Sequence, residues 1–210
     1  MSKKATFRYF IIHKPFRVLS QFTDEDGNPG LGSIFKLPKD VYPVGRLDLD
    51  SEGLLLLTND RSLNHQLLHP KFKHGRTYWA EVDGVPDQDA LDNFEKGLQI
   101  KAKGKSYFTE PANIRLLNAV HLAEREPAVN RVKHPVTTWV EINLIEGKNR
   151  QVRKMTAAIG HPTLRLIRIG IESLKLGELI SGGIQELAEE AVYHKLGIKR
   201  KPFLRKGLRK

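Results

Sequence analysis

Residues 44–60 read VGRLDLDSEGLLLLTND. Leu54 to Leu57 form a short apolar run bounded by turn formers, which predicts a strand buried on both faces. Immediately ahead stand Arg46, Asp48, Asp50, Ser51 and Glu52. Ionised groups at the edge of a core are costly unless paired, so this stretch predicts an anchored, charged turn with cationic partners elsewhere in the chain.

Three readings of the turn compete. Acids at its first and third positions and Gly53 at its sixth suggest a calcium loop, but Glu52 at the fifth and Asn59 at the twelfth do not fit one. Asp48 and Asp50 share a face on an extended chain and could hold a metal for phosphoester cleavage, yet no third ligand stands at suggestive spacing. The economical reading pairs an aspartate with an arginine. The segment KNRQVRK, Lys148 to Lys154, opens a predicted helix whose Val152, Met155 and Ile159 face the core. Arg150 and Arg153 then project together and could keep a carboxylate ionised. The alternative is a merely solvated basic face. Tyr78 fits a half-buried sheet aromatic as well as a functional group, and the eight histidines have no ligand spacing.

Working outward, RYFIIHKPF predicts a strand broken at Pro15, and Asp60 caps a helix ending before Pro70. Thr77–Val85 reads as a strand, and Asp87 caps a helix carrying Leu91, Phe94 and Leu98. Ile114–Leu117 and the alternating Thr137–Ile145 are strands. His121–Pro135 is an irregular, exposed excursion. A helix over Lys148–Ile159 ends at Gly160, Thr163–Ile171 reads as a central strand, and Gln185–Leu196 as a final helix. Strands outnumber helices and lack regular helical crossovers. The class is therefore α+β, with a mixed, mainly antiparallel sheet and flanking helices.

The 210 residues suffice for a real core. No apolar run approaches the ~20 residues of a membrane span, and no leader opens the chain. Without cysteine there is no disulfide framework, so the expected setting is cytoplasmic. The net charge of +11 suits a polyanionic partner, but the segment Lys195–Lys210 supplies eight of the basic residues, and removing it leaves +3. That arm reads as a salt-sensitive phosphate-binding tail.

The string GRLDLDSEGLLLLTND resembles the signature of the RsuA-like RNA pseudouridine synthases. Further blocks match in order: YFIIHKPFRVLSQFT, GRTYWAEVDG and EGKNRQVRKMTAAIGHPTLRLIRIGI. The resemblance runs from about Phe7 to Leu187, and it departs at Arg76, where lysine is usual, and at Gln185, where arginine is frequent. The few residues ahead of the first block leave no room for the S4-type RNA-binding domain of many members, which favours the short RluE-like branch acting on large-subunit ribosomal RNA.

The resemblance implies a catalytic domain over 6–195 with its cleft in the middle of the sheet, a basic tail over 196–210, and uridine-to-pseudouridine isomerisation in 23S rRNA. The uracil detaches from C1′, rotates and rejoins through C5, so neither cofactor nor metal is expected. Asp48 becomes the essential carboxylate, Arg153 the cation paired with it, and Tyr78 the residue that stacks on the base and serves C5 deprotonation. The family flips its target nucleotide. Arg46 contacts the backbone or fills the vacated space, unless it only pairs with Asp50 or Glu52. Lys148, Arg150, Gln151 and Lys154 line the phosphate path. A monomer with ribosomal RNA as partner and no membrane association is expected. The rivals are a non-catalytic RNA-binding protein, which leaves the acidic turn unexplained, and a metal-dependent nuclease.

Overall fold

The computed structural model of the chain describes residues 7–102 and 104–200. The leucine run lies in strand β3 (Glu52–Thr58), every residue of which is buried. Alternation along the strand explains why. Leu54 and Leu56 face one apolar cluster with Tyr9, Ile11, Leu63 and Val192, while Leu55 and Leu57 face another with Phe10, Ile12, Val18 and Phe35. At roughly 1.5–3 kcal/mol for each buried leucine, the run is a major anchor of the fold.

Along the chain, β1 (Tyr9–Lys14) and β2 (Tyr42–Pro43) precede β3, and helix α1 (Arg61–Leu68) follows it. Then come β4 (Arg76–Asp83), α2 (Gln88–Lys96), the hairpin β5 (Gln99–Ala102) and β6 (Lys105–Phe108), and β7 (Asn113–Leu116). The remainder is β8 (Thr137–Leu144), α3 (Gln151–Ala158), β9 (Thr163–Ile171), β10 (Leu174–Lys175), β11 (Ile184–Leu187) and α4 (Glu189–Lys195). The main sheet runs β11-β1-β3-β9-β4-β8-β7, with β2 on β3 and β10 on β9. Among the described residues β3 and β9 pair in parallel, and the other pairs are antiparallel. This is the mixed, mainly antiparallel α+β architecture expected, and the acidic turn lies at its middle, where β3 meets β9.

Local signals were accurate where a side chain satisfies a helix end. Asp60 Oδ1 accepts from the N–H groups of Ser62 and Leu63, and Asp87 Oδ1 from that of Ala90. The structure departs from expectation at the C-terminal side. The helix expected over Gln185–Leu196 begins only at Glu189, because Ile184–Leu187 pairs with the open edge of β1. Helix α3 starts at Gln151, since Arg150 takes a left-handed conformation with φ 52°. The β5–β6 hairpin was not expected. Leu196 and Ile198 are buried in the core beyond α4, so the first residues assigned to the tail pack with the fold; residues 201–210 lie outside the described residues.

At Gly53 the sheet leaves no room for a side chain. The glycine pairs with Lys14 on one side and Arg168 on the other, at φ 104°, and a Cβ there would lie 2.3 Å from the Arg168 carbonyl oxygen. Gly53→Ala is expected to destabilise the fold by at least about 3 kcal/mol, the strain of a positive φ added to a backbone clash. Urea unfolding measures this, and a loss below about 1 kcal/mol would mean that the β3–β9 approach is not tight.

Candidate active site

The acidic turn is held from below by the segment following β1. Its backbone closes with Ser51 N–H donating to the Asp48 carbonyl at 3.0 Å. Arg17 N–H donates to the Leu49 carbonyl at 2.9 Å. Ser20 Oγ accepts from Leu47 N–H at 2.9 Å and donates to the Leu47 carbonyl at 2.8 Å. Lys14, fully buried, donates from Nζ to the carbonyls of Pro15 and Val18 and so fixes that supporting segment. Burial pushes the Lys14 ammonium down to about 8, with Glu52, Asp50 and Asp48 opposing the shift.

The three acids of the turn have different environments. Glu52, 2 % exposed, receives both Nε and Nη2 of Arg165 at 2.9 Å, a buried bidentate pair. Asp50 receives Nη1 and Nη2 of Arg150 at 2.8 and 2.7 Å, and Arg153 Nε lies 3.3 Å from its Oδ2. Burial alone would raise the Asp50 carboxyl, but the hydrogen bonds from Arg150 and the charges of Arg153 and Arg150 hold it below the usual carboxylate range. Asp48 accepts no hydrogen bond to its carboxylate among the described residues. Its side chain is 38 % exposed, with Arg150 Nη1 at 4.0 Å.

The expected Asp48–Arg153 pair is therefore corrected. Arg153 Nη1 donates to the Thr163 carbonyl at 3.0 Å and Nη2 to the Asp50 carbonyl at 2.6 Å. Two backbone oxygens take up its terminal nitrogens, while Nε is buried without a hydrogen bond and meets Asp50 only as an ion pair. Burial pushes the Arg153 guanidinium down and Asp50 offsets part of that. The arginine within ion-pair reach of Asp48 is Arg150. Its left-handed backbone, a conformation costing a non-glycine residue roughly 1–2 kcal/mol, sits at the mouth of the turn.

Tyr78, on β4, pairs in register with Arg168 of β9 and is packed against both apolar clusters that meet at this part of the sheet. Arg168 is buried and donates from Nε to the Leu54 carbonyl at 2.8 Å, but its Nη2 is buried without a partner. Burial pushes its guanidinium down while the neighbouring Tyr78 opposes the shift. Arg46 is exposed and makes neither of the two pairs weighed for it: Asp50 belongs to Arg150 and Arg153, and Glu52 to Arg165. Lys148 is exposed, its Nζ 4.4 Å from the Tyr107 ring centroid.

Gln151 is a second correction, since it is buried and both ends of its amide are used internally. Its Oε1 accepts from Lys148 N–H at 2.9 Å, and its Nε2 donates to Glu146 at 2.6 Å. Glu146 also takes the Glu110 N–H and the Tyr107 hydroxyl, so Gln151 shapes the loop from within rather than lining an RNA path. Lys154 folds back onto the Asn149 carbonyl at 2.6 Å. Sequence reasoning also missed Lys14, Arg165 and Arg168 as parts of the site. Two arginines inside a strand read as apolar on both faces were the available signal. Among the described residues no group of three or more His, Asp or Glu is arranged to hold a metal.

The mixed sheet agrees with what the comparisons find. The family model described as RNA pseudouridylate synthase matches residues 8–158. The chain belongs to that family. It is 45 % identical over 180 residues to the ribosomal large subunit pseudouridine synthase E of Vibrio parahaemolyticus, covering 86 % of this chain and 74 % of that protein. It is 37 % identical over 185 residues to the ribosomal large subunit pseudouridine synthase B of Bacillus subtilis, covering 88 % and 69 %. A crystal structure of a pseudouridylate synthase superposes with a TM-score of 0.73 at 26 % identity, over 93 % of this chain and 76 % of that one.

Because the folded value of Asp50 lies below its unfolded one, its stabilisation is complete above about pH 4 and is lost as the pH falls through the folded value. The stability gap between wild type and Asp50→Asn should stay constant from pH 7 to about 5 and narrow in stronger acid. Urea melts across that range measure it, and a gap that does not narrow would remove the ion-pair account. Glu52→Gln leaves Arg165 buried beside a neutral amide and should cost about 3 kcal/mol in the same melts. A cost near zero would show the pair to be dispensable.

Proposed function

We propose that this protein converts a uridine of large-subunit ribosomal RNA to pseudouridine, with Asp48 as the carboxylate that acts at C1′. The observation that carries the reading is the distribution of partners in the turn. Glu52 and Asp50 are each hydrogen-bonded by arginine, whereas Asp48 accepts no hydrogen bond to its carboxylate among the described residues and has only Arg150 at 4.0 Å, on a rigid support. A carboxylate that must serve as nucleophile, or stabilise positive charge at C1′, needs such freedom together with a fixed position. The names of the relatives in Vibrio parahaemolyticus and Bacillus subtilis support the large-subunit assignment.

In this reading Arg150 and Arg153 act through Asp50 to hold the turn, and Arg150 keeps a positive charge beside Asp48. The half-buried Tyr78 supplies a flat face for the flipped uracil and a hydroxyl for removal of the C5 proton. No group leaves during the isomerisation, so the site has only to break the glycosidic bond, retain the base while it turns, and accept one proton. Arg46 and Lys148, both exposed, serve as contacts to the RNA backbone. The same reading has the protein act as a monomer in the cytoplasm. No helix among the described residues is long and apolar enough to cross a membrane.

Tritium release from unmodified large-subunit rRNA labelled at C5 of uridine tests the proposal. Wild type should release tritium and Asp48→Asn should not. Release by both would exclude Asp48 as the essential carboxylate. Release by neither, with RNA binding intact, would point to an RNA-binding protein or a different RNA.

A further inference from the structure

Beside the acidic turn lies a cationic group that no assignment above uses. The guanidinium of Arg125, from the irregular segment between β7 and β8, sits 4.0 Å from the centroid of the Phe16 ring. Arg17 approaches the same ring, at 5.6 Å. Two positive charges thus converge on one aromatic side chain.

Neither guanidinium forms an ion pair within the described residues, although Glu52 and Glu81 act on Arg125 from a distance. Arg17 is exposed and forms no ion pair there. Arg125 donates from Nη1 to the Pro127 carbonyl, but its Nε is buried without a partner. The nearby acids are already engaged, Glu81 by Arg131 and Thr137, and Glu52 by Arg165. Glu124 and Glu126, its neighbours in sequence, are exposed and make no pair with Arg125. Holding like charges together costs free energy unless an anion joins them. Since Arg125 Nε is shut off from solvent, the terminal Nη2, which makes no hydrogen bond among the described residues, is the donor that fits phosphate oxygens.

Location gives the cluster its meaning. The N–H of Arg17 is bonded to the carbonyl of Leu49, the residue between Asp48 and Asp50. Arg17 also carries the cluster at φ 57°, a left-handed backbone that few non-glycine residues adopt. The ring and its two arginines therefore adjoin the backbone segment that is bonded to the acidic turn.

We propose that Arg17, Phe16 and Arg125 form a phosphate clamp that holds the backbone of the RNA strand entering the active site. This assignment rests on the RNA reading given above. The irregular segment between β7 and β8 thereby becomes part of the substrate path, with Phe16 ordering both guanidinium planes and the phosphate oxygens satisfying their outer N–H groups.

The test measures binding of an unmodified large-subunit rRNA transcript at a series of salt concentrations. Wild type is compared with Arg17→Ala, Arg125→Gln and the double variant, and thermal unfolding checks each fold. Each substitution should weaken binding and make the slope of log affinity against log salt shallower by about 0.7–0.9, with the double variant near the sum. Arg125→Lys, which keeps the charge, should retain most of the slope. Unchanged slopes in folded variants that still bind RNA would overturn the clamp and leave the reading of Asp48 standing, as would weaker binding at unchanged slope, since Arg125 would then only brace its loop. If Arg125→Gln does not fold, the exposed Arg17→Ala carries the test alone. Failure of the wild type to bind the transcript, or any RNA, would remove the underlying reading and the clamp with it.

Discussion

Glu52 is buried at the first position of a strand made of leucines, and it is tolerable there because Arg165 occupies both of its oxygens. The pair joins the start of β3 to β9 beside Gly53, where a Cβ would clash with the Arg168 backbone. A carboxylate at this depth without its arginine would carry an uncompensated charge, costing several kcal/mol. The position of the whole acidic turn depends on that junction, since Asp48 and Asp50 lie only a few residues before it.

From this anchor the turn sorts its charges. Arg153 is taken up by two carbonyls and by Asp50, and Arg150 closes on Asp50 with both of its terminal nitrogens. Asp48 is left with free oxygens and a cation at 4.0 Å. Rigidity around a free reactive group is what pre-organised catalysis requires. Here it is produced by Ser20, Lys14 and the Arg17 N–H below the turn, and by α3 above it. The left-handed conformations of Arg17 and Arg150 on either side show where the backbone is bent to bring these supports together.

The elements that could be read in the sequence are those governed by local rules. The leucine run, the alternation of β8, the caps at Asp60 and Asp87, and the break at Pro15 each follow from a short-range preference, and each stands in the structure. The acidic turn itself was legible because charged residues against a buried strand demand an explanation. What could not be read was the choice of partners. Whether Arg150 or Arg153 meets Asp48 depends on the backbone bend at Arg150 and on the carbonyls of Asp50 and Thr163, none of which has a sequence signal. Gln151 stands in a basic segment and looks like a ligand contact, yet Glu146 draws it inward.

The sequence by itself determined the class of fold, the anchor strand and the presence of a charged turn beside it, because hydrophobic period and helix capping act over a few residues. Only the tertiary structure decided that Ile184–Leu187 is a strand, since that segment follows the open edge of β1 rather than its own helical preference. It also decided which acid stays free. Pairing of buried charges is settled by geometry across more than a hundred residues of chain, as between Glu52 and Arg165, and a one-dimensional pattern does not encode it.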